Sequence, residues 1–245
     1  MRSDASAPIV VLSPHLDDAV VSAWHVLTGG GEVLVVNFFA AMPSDDSAPT
    51  MADRLAGFTS SAELVKTRHE EDRNALALVG CQAITLDFIE DQYRAQPVSV
   101  DELREGLLAR VPAAASVIAP VAIGGHPDHR LIRDVGLRLA SEGHAVELYG
   151  DIPYIVRYGW PSWVTGVDPG PHLVVEAYWD EFLAEVTERG HRLTAHVHDL
   201  GEGGATAKLE AMMRYATQFQ QLNSGIVDRL RNPLIRRYEV SWKVR

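Results

Sequence analysis

The chain has 245 residues, of which 47% are hydrophobic and 22% charged, the balance of a folded protein rather than a disordered one. Its formal net charge of −11 argues against nucleic acid or an anionic membrane surface as the main partner. Cys81 is the single cysteine, which excludes an intrachain disulfide, and the apolar runs fall far short of the roughly 20 residues that span a bilayer. Because the N-terminus also lacks the apolar stretch of a signal peptide, the sequence predicts a cytoplasmic globular protein without membrane insertion.

The first forty residues predict a strand, a helix and a second strand. The apolar run at residues 9–12 does not alternate with polar residues, as is typical of a strand buried in a parallel sheet. Helical spacing of apolar residues then predicts a helix over residues 18–27, which ends at three consecutive glycines. Residues 33–39 predict the second strand. This succession is the βαβ unit of α/β proteins.

The same alternation continues along the chain. Further strands are predicted at residues 83–86, Ser116–Pro120, 145–149 and 238–242, and helices at residues 61–79, 100–111, from about 130 to 140, and 205–222. Residues 40–60 predict a mobile loop of a length that often serves as a lid, while residues 157–175 permit no assignment. We therefore expect one α/β domain over residues 1–245, with a core at about 8–220 and a Rossmann-like, mostly parallel sheet carrying helices on both faces.

Two polar turns follow predicted strands of this sheet. The first is Pro14-His15-Leu16-Asp17-Asp18, and the second is His126-Pro127-Asp128-His129, about 110 residues later. Ligands of open parallel sheets bind beyond the carboxyl ends of the strands, so the fold can bring both turns together. Either turn alone is better explained as a helix cap or a solvated turn. The pair, each after a strand and each opening a helix, favours a catalytic site.

The side chains of these turns are those of a hydrolytic metal centre. Two imidazoles and a carboxylate are the usual protein ligands of a catalytic zinc, which lowers the pKa of its bound water to roughly 7. A nearby carboxylate can accept the water's proton, and a second histidine can stabilise the oxyanion or protonate the leaving amine. From the first turn we expect His15 and Asp18 to bind the metal and Asp17 to handle a proton.

With both turns in view, the sequence resembles the N-acetylglucosaminylphosphatidylinositol de-N-acetylase family, the PIG-L-type or LmbE-like zinc deacetylases. The family's opening Pro-His-Pro-Asp-Asp-Glu is similar to Pro14-His15-Leu16-Asp17-Asp18-Ala19, and its His-x-Asp-His matches His126-Pro127-Asp128-His129. Weaker matches lie at an Arg-x-x-Glu helix, at an acidic-apolar-Pro element and at a late Lys…Tyr-x-Ser-Gln helix, here Arg68 with Glu71, Asp151-Ile152-Pro153, and Lys208 with Tyr215 and Gln218.

The resemblance implies one Zn²⁺ per chain, with Fe²⁺ as the alternative metal. The implied ligands are His15, Asp18 and His129. Asp17 would be the general base on the metal-bound water, His126 the acid or oxyanion stabiliser, and Asp128 its support. Arg68 and Asp91 fall where such enzymes touch the sugar.

The implied reaction is removal of an N-acetyl or short acyl group from an amino sugar or related small-molecule amine, by hydrolysis of a linear amide bond. Such reactions belong to natural-product or thiol-cofactor biosynthesis. The expected partner is thus a small N-acylated molecule, and the number of subunits, including a homo-oligomer, is left open by the sequence.

The sequence departs from the family pattern in two places. Leu16 and Ala19 replace the Pro and Glu around the paired aspartates, so a supporting carboxylate is missing although no implied ligand is lost. Gly124 stands where some relatives carry a tyrosine that polarises the amide carbonyl. These departures lend weight to an alternative, a metal-bearing binding protein of the same fold with lost or altered catalysis.

Overall fold

The computed structural model describes residues 8–44, 48–111, 116–170, 172–223 and 229–245. Within these ranges seven strands form one sheet in the order β3-β2-β1-β4-β5-β7-β6. The strands are β1 (Ile9–Ser13), β2 (Val33–Asn37), β3 (Gln82–Thr85), β4 (Ser116–Pro120), β5 (Val146–Tyr149), β6 (Leu193–Asp199) and β7 (Tyr238–Val244). Strands β1 to β5 pair in parallel, whereas β7 is antiparallel to both β5 and β6. The predicted α/β, Rossmann-like and mostly parallel sheet is confirmed.

Helices connect these strands. They are α1 (Asp18–Ser22), α2 (Trp24–Leu27), α3 (Met51–Leu55), α4 (Ser61–Ala77), α5 (Val100–Leu108), α6 (Pro127–Ser141), α7 (Ser162–Thr165), α8 (Val175–Thr187), α9 (Gly201–Met212), α10 (Ala216–Leu222) and α11 (Pro233–Arg237). In the part of the chain that the structure covers, no helix has both the length and the apolar character needed to cross a membrane.

The strand order explains why the two polar turns meet. The chain runs outward from β1 through β2 to β3 and then returns to place β4 on the other side of β1. In the shared register Ile9 pairs with Ser116 and Val11 with Ile118, so both strands end at the same edge. The connections after β1 and β4 leave in opposite directions, which opens the crevice typical of a ligand site in such sheets. Val10, Val11 and Leu12 are fully buried and fix β1 in the core.

The prediction of one continuous helix over residues 18–27 is wrong, because the helix divides at Ala23 into α1 and α2. The backbone of Ala23 leaves the helical region, with φ −127° and ψ 32°. A carboxylate from β7 causes the division: Glu239 accepts the N–H groups of Trp24 at 3.0 Å and His25 at 2.8 Å, and thereby caps α2.

The helix predicted over residues 205–222 also divides, here into α9 and α10. The hydroxyl of Tyr215 between them donates to Asp72 at 2.8 Å, and Glu71 accepts the N–H of Thr217 at 2.9 Å. The segment 40–60, predicted as a loop, contains α3, which begins with a reciprocal cap between Thr50 and Asp53. Residues 45–47 of that segment lie outside the described ranges. Helices α7, α8 and α11 lack a sequence prediction.

Candidate active site

The three implied metal ligands converge at the end of β1 and β4. His15 and Asp18 come from the turn after β1, and His129 from the first turn of α6. Asp18 Oδ2 lies 3.3 Å from His15 Nδ1 and 3.3 Å from His129 Nε2, and the three donor atoms all lie within 4.8 Å of one another. Two imidazole nitrogens and a carboxylate oxygen at this spacing fit one tetrahedral divalent cation with a position left open.

A buried carboxylate holds the far nitrogen of each imidazole. His15 Nε2 donates to Asp128 at 3.1 Å, and His129 Nδ1 donates to Asp151 at 2.6 Å, both acceptors being fully buried. Each pairing places the ring proton on the nitrogen that faces the carboxylate. His15 Nδ1 and His129 Nε2, which lie beside Asp18, are therefore the nitrogens left to bind a metal, as in the carboxylate–histidine–metal pattern of zinc proteins.

The electrostatics of this cluster favour an added positive charge. Although burial opposes the charged imidazolium, Asp18 and Asp151 raise the pKa of His129 to about 9. Burial also opposes the charge on His15, yet Asp128 and Asp18 raise its pKa well above the ordinary value. Burial alone would raise the pKa of Asp18, but His129 and His15 hold it well below its usual range. Three carboxylates thus surround two imidazoles, and a cation bound there balances them.

Asp17 lies beside the three converging side chains and lines the same cavity. Its side chain is 4% exposed, and burial together with the adjacent Asp18 raises the pKa of Asp17 to about 7. A carboxylate in this position can exchange a proton with a group bound in the cavity.

His126 forms the N-terminal cap of α6. Its Nδ1 accepts the N–H of Asp128 at 3.3 Å, so the ring proton lies on Nε2. The ring centroid is 5.0 Å from those of His15 and His129. Desolvation and these two neighbouring imidazoles lower the pKa of His126 to about 4, which keeps the ring neutral.

The carboxylate of Asp128 accepts hydrogen bonds from groups other than the His126 ring. It accepts from His15, from the N–H of Asp91 at 3.0 Å and from Arg94 at 2.9 Å. Among the described residues it forms no hydrogen bond with the His126 ring, so Asp128 supports His126 through its backbone N–H and supports His15 through its side chain.

A cavity of about 500 Å³ opens over these side chains, a size suited to a ligand of several rings. Arg68, predicted to touch substrate, lines the cavity, is 7% exposed and lies 3.5 Å from Glu90. The carboxylate of Asp91, predicted for the same role, instead lies 3.2 Å from Arg94. Its neighbours Glu90 and Gln92 line the cavity.

The structure adds Asp151 and Tyr154 to the site. Both follow β5, and the sequence carried a signal for Asp151, since Gly150-Asp151 repeats the pattern of a strand followed by a polar turn. Gly124 has φ +99°, and a Cβ placed there would lie 2.6 Å from the Cβ of Tyr154. The ring of Tyr154 therefore covers Gly124, with its centroid 5.6 Å from that of His129 and 6.3 Å from that of His126.

Comparison with known proteins places this site in context. Residues 10–140 match the family described as PIG-L, GlcNAc-PI de-N-acetylase. The chain is 28% identical over 192 residues to 2′-N-acetylparomamine deacetylase of Niallia circulans, an alignment covering 63% of this chain and 70% of that protein. The solved structure of the A40926 pseudoaglycone deacetylase Dbv21 is 27% identical, with a TM-score of 0.71 over 99% of this chain and 98% of that one. A deacetylase triple mutant involved in the teicoplanin biosynthetic pathway is 26% identical, with a TM-score of 0.74 over 98% of each chain.

Proposed function

Because the chain belongs to the PIG-L de-N-acetylase family and is an N-deacetylase, we propose that it removes the acetyl group from an amino sugar carried by a small natural product, with zinc as its metal. The relatives support this substrate class, since they are deacetylases of 2′-N-acetylparomamine and of the A40926 pseudoaglycone. The cavity of about 500 Å³ has room for a substrate larger than a single acetamide group.

His15, Asp18 and His129 would hold the metal. Two nitrogen donors and one oxygen donor suit zinc, and iron(II) is the alternative for the same set. When bound, the ion acts as a Lewis acid that polarises the amide and makes water acidic enough to attack near neutral pH. The observation that carries the proposal is the pair of buried carboxylates, Asp128 and Asp151, each holding one ligand imidazole in the orientation that metal binding requires.

The remaining residues would move the protons of amide hydrolysis. Asp17 accepts a proton from the attacking water as the new carbon–oxygen bond forms. The Nε2–H of His126 and the hydroxyl of Tyr154 donate hydrogen bonds to the acetamide oxygen as negative charge develops on it. Asp17 then returns its proton to the amine as the carbon–nitrogen bond breaks, which yields acetate and the free amino sugar.

Asp17 and Tyr154 also weaken the alternative of a binding protein without catalysis. A binding site needs no proton acceptor beside its metal, and Tyr154 offers the cavity a phenol where Gly124 offers none. The alternative would be favoured if the zinc-loaded protein bound N-acetylated amino sugars and released no acetate from them.

The variant Asp17→Asn tests the proposal. We expect it to lose about 10²–10⁴-fold in kcat for acetate release from a panel of N-acetyl amino sugars, because a general base contributes about that much. Its metal content, measured by inductively coupled plasma mass spectrometry, should equal that of the wild type. Asp101→Asn is the matched control, since Asp101 is exposed and lies on α5, outside the cavity. Full turnover by Asp17→Asn with bound metal would show that the base is another group.

A further inference from the structure

Two arginines line the cavity on its more exposed side. Arg157 is exposed and Arg229 half-buried, whereas Asp17, Asp18 and His129, which line the same cavity, are buried. Arg157 interacts with Tyr178, another lining residue. Its guanidinium carbon also lies 5.9 Å from the centroid of the Tyr158 ring. Neither of these contacts is an ion pair with a carboxylate.

Neither guanidinium forms an ion pair with a carboxylate among the residues that the structure covers. Other arginines of this acidic chain do form such pairs: Arg68 lies 3.5 Å from Glu90, and Arg130 lies 2.6 Å from Glu185. In a protein of net charge −11, two guanidinium groups that line one cavity without a carboxylate partner among the described residues are a local source of positive charge.

Two buried polar atoms deeper in the cavity also lack a partner within the described ranges. Gln218 is 8% exposed and its Oε1 accepts no hydrogen bond, while Arg68 is 7% exposed and its Nε donates none. Buried polar groups without partners cost free energy unless a ligand or water satisfies them. These two atoms therefore leave hydrogen-bonding capacity for a polar ligand of the cavity.

We propose that the substrate carries an anionic group, a carboxylate or a phosphate, beyond the acetylated sugar, and that Arg157 and Arg229 bind it. The proposal depends on the proposed deacetylase function, which fixes the acetamide at the metal site. Guanidinium groups bind carboxylates and phosphates through paired, charge-assisted hydrogen bonds. The same two charges repel a cationic substrate, so this cavity selects anionic substrates over polyamines.

A substrate series that differs only in charge tests this. The probes are four β-glycosides or esters of N-acetylglucosamine: the neutral methyl glycoside, the carboxymethyl glycoside, the 1-phosphate and the cationic aminoethyl glycoside. We expect at least one anionic probe to exceed the methyl glycoside about hundredfold in kcat/KM, through a lower KM, with the aminoethyl glycoside below both. About tenfold for each guanidinium corresponds to one charge-assisted hydrogen bond. The anionic probe with the higher kcat/KM shows whether the bound group is a carboxylate or a phosphate.

The variants Arg157→Gln and Arg229→Gln should each lower the anionic-to-neutral ratio about tenfold. Arg110→Gln is the matched control, an exposed arginine outside the cavity, and should leave the ratio unchanged. Raising the salt concentration should lower the ratio in the wild type, because exposed charges are screened. A wild-type ratio of one or less, or a ratio that neither substitution changes, overturns the proposal.

Failure of the deacetylase function is recognised separately. If the wild type releases no acetate from any probe, the proposed function is wrong, and calorimetry of the carboxymethyl glycoside and the 1-phosphate with zinc-loaded protein still tests the arginines. Binding that weakens about tenfold in Arg157→Gln supports the anion site. Equal binding by the wild type and both variants overturns it.

Discussion

The carboxylate of Asp151 offers a direct test of how the proposed metal ligand His129 is held. Asp151 is fully buried and accepts two short hydrogen bonds, from His129 Nδ1 at 2.6 Å and from the N–H of Ala122 at 2.6 Å. Asn in its place keeps the size but has one carbonyl oxygen for two donors, and its NH₂ group faces a donor. Either the Ala122 bond is lost or His129 turns its ring and withdraws Nε2 from Asp18.

The expected cost follows from these contacts. Loss of a carboxylate behind a metal-bound histidine lowers metal affinity about 10–100-fold, which is roughly 1.4–2.8 kcal/mol. The unpaired buried N–H adds about 1–3 kcal/mol to the loss of folding stability, in the metal-free protein as well. The N–H that loses its acceptor belongs to Ala122. Its φ of +63° is a strained conformation that this hydrogen bond holds in place, so folding stability depends on the bond.

The zinc Kd of Asp151→Asn is measured by competition with a chromogenic chelator at pH 7, and the fold is checked by circular dichroism. Asp134→Asn is the matched control: this carboxylate on α6 accepts from Arg133 at 3.0 Å and Arg189 at 2.8 Å, and it lies outside the cavity. A zinc Kd equal to that of the wild type in a folded Asp151→Asn protein would refute the reasoning, since His129 would then need no carboxylate to orient it.

Three further substitutions probe the surroundings of the site. Tyr154→Phe should lower kcat about tenfold or more in steady-state deacetylation with little change in KM, because it removes a hydrogen-bond donor used as charge develops; an unchanged kcat would assign that role to His126 alone. Lys208→Met should cost about 3–5 kcal/mol in urea unfolding by leaving the buried charge of Glu239 without its lysine, and adding Glu239→Gln should restore part of the loss; a cost below about 1 kcal/mol would contradict this. Burial raises the pKa of Asp72 from 3.8 to about 7, so the folded state keeps a proton there that the unfolded chain has released. Unfolding free energy should therefore fall as pH rises across this window, with Asp72 contributing up to roughly 4 kcal/mol, and Asp72→Asn should remove that contribution and leave the slope that Asp17 adds; equal slopes in both proteins would argue against the shift.

The turns that carry the proposed metal ligands were predictable because their position depends on local features. A short β-branched run, a turn residue and a helix start specify a parallel strand and its carboxyl end, and these ends meet at one edge of any such sheet. His15, Asp18 and His129 follow β1 and β4 directly, so their convergence required only that the two strands be neighbours. The proton-handling role of Asp17 came from the first turn and those of His126 and Asp128 from the family resemblance. These roles stay predictions, as do the substrate contacts of Arg68 and Asp91.

Contacts between distant parts of the chain were not predictable in the same way. The break at Ala23 depends on Glu239, which lies more than 200 residues away and caps α2 only once β7 has joined the sheet. Apolar periodicity records which face of a helix is buried, but not which side chain from another element interrupts it.

The sequence by itself therefore determined the sheet, the two polar turns and the chemistry that their side chains share. The tertiary structure decided which carboxylate serves which imidazole, and it placed Tyr154 over Gly124 and Arg157 and Arg229 along the cavity. The physical reason is that strand ends follow from short-range pattern, whereas hydrogen-bond partners and cavity walls depend on side-chain directions from elements far apart in sequence.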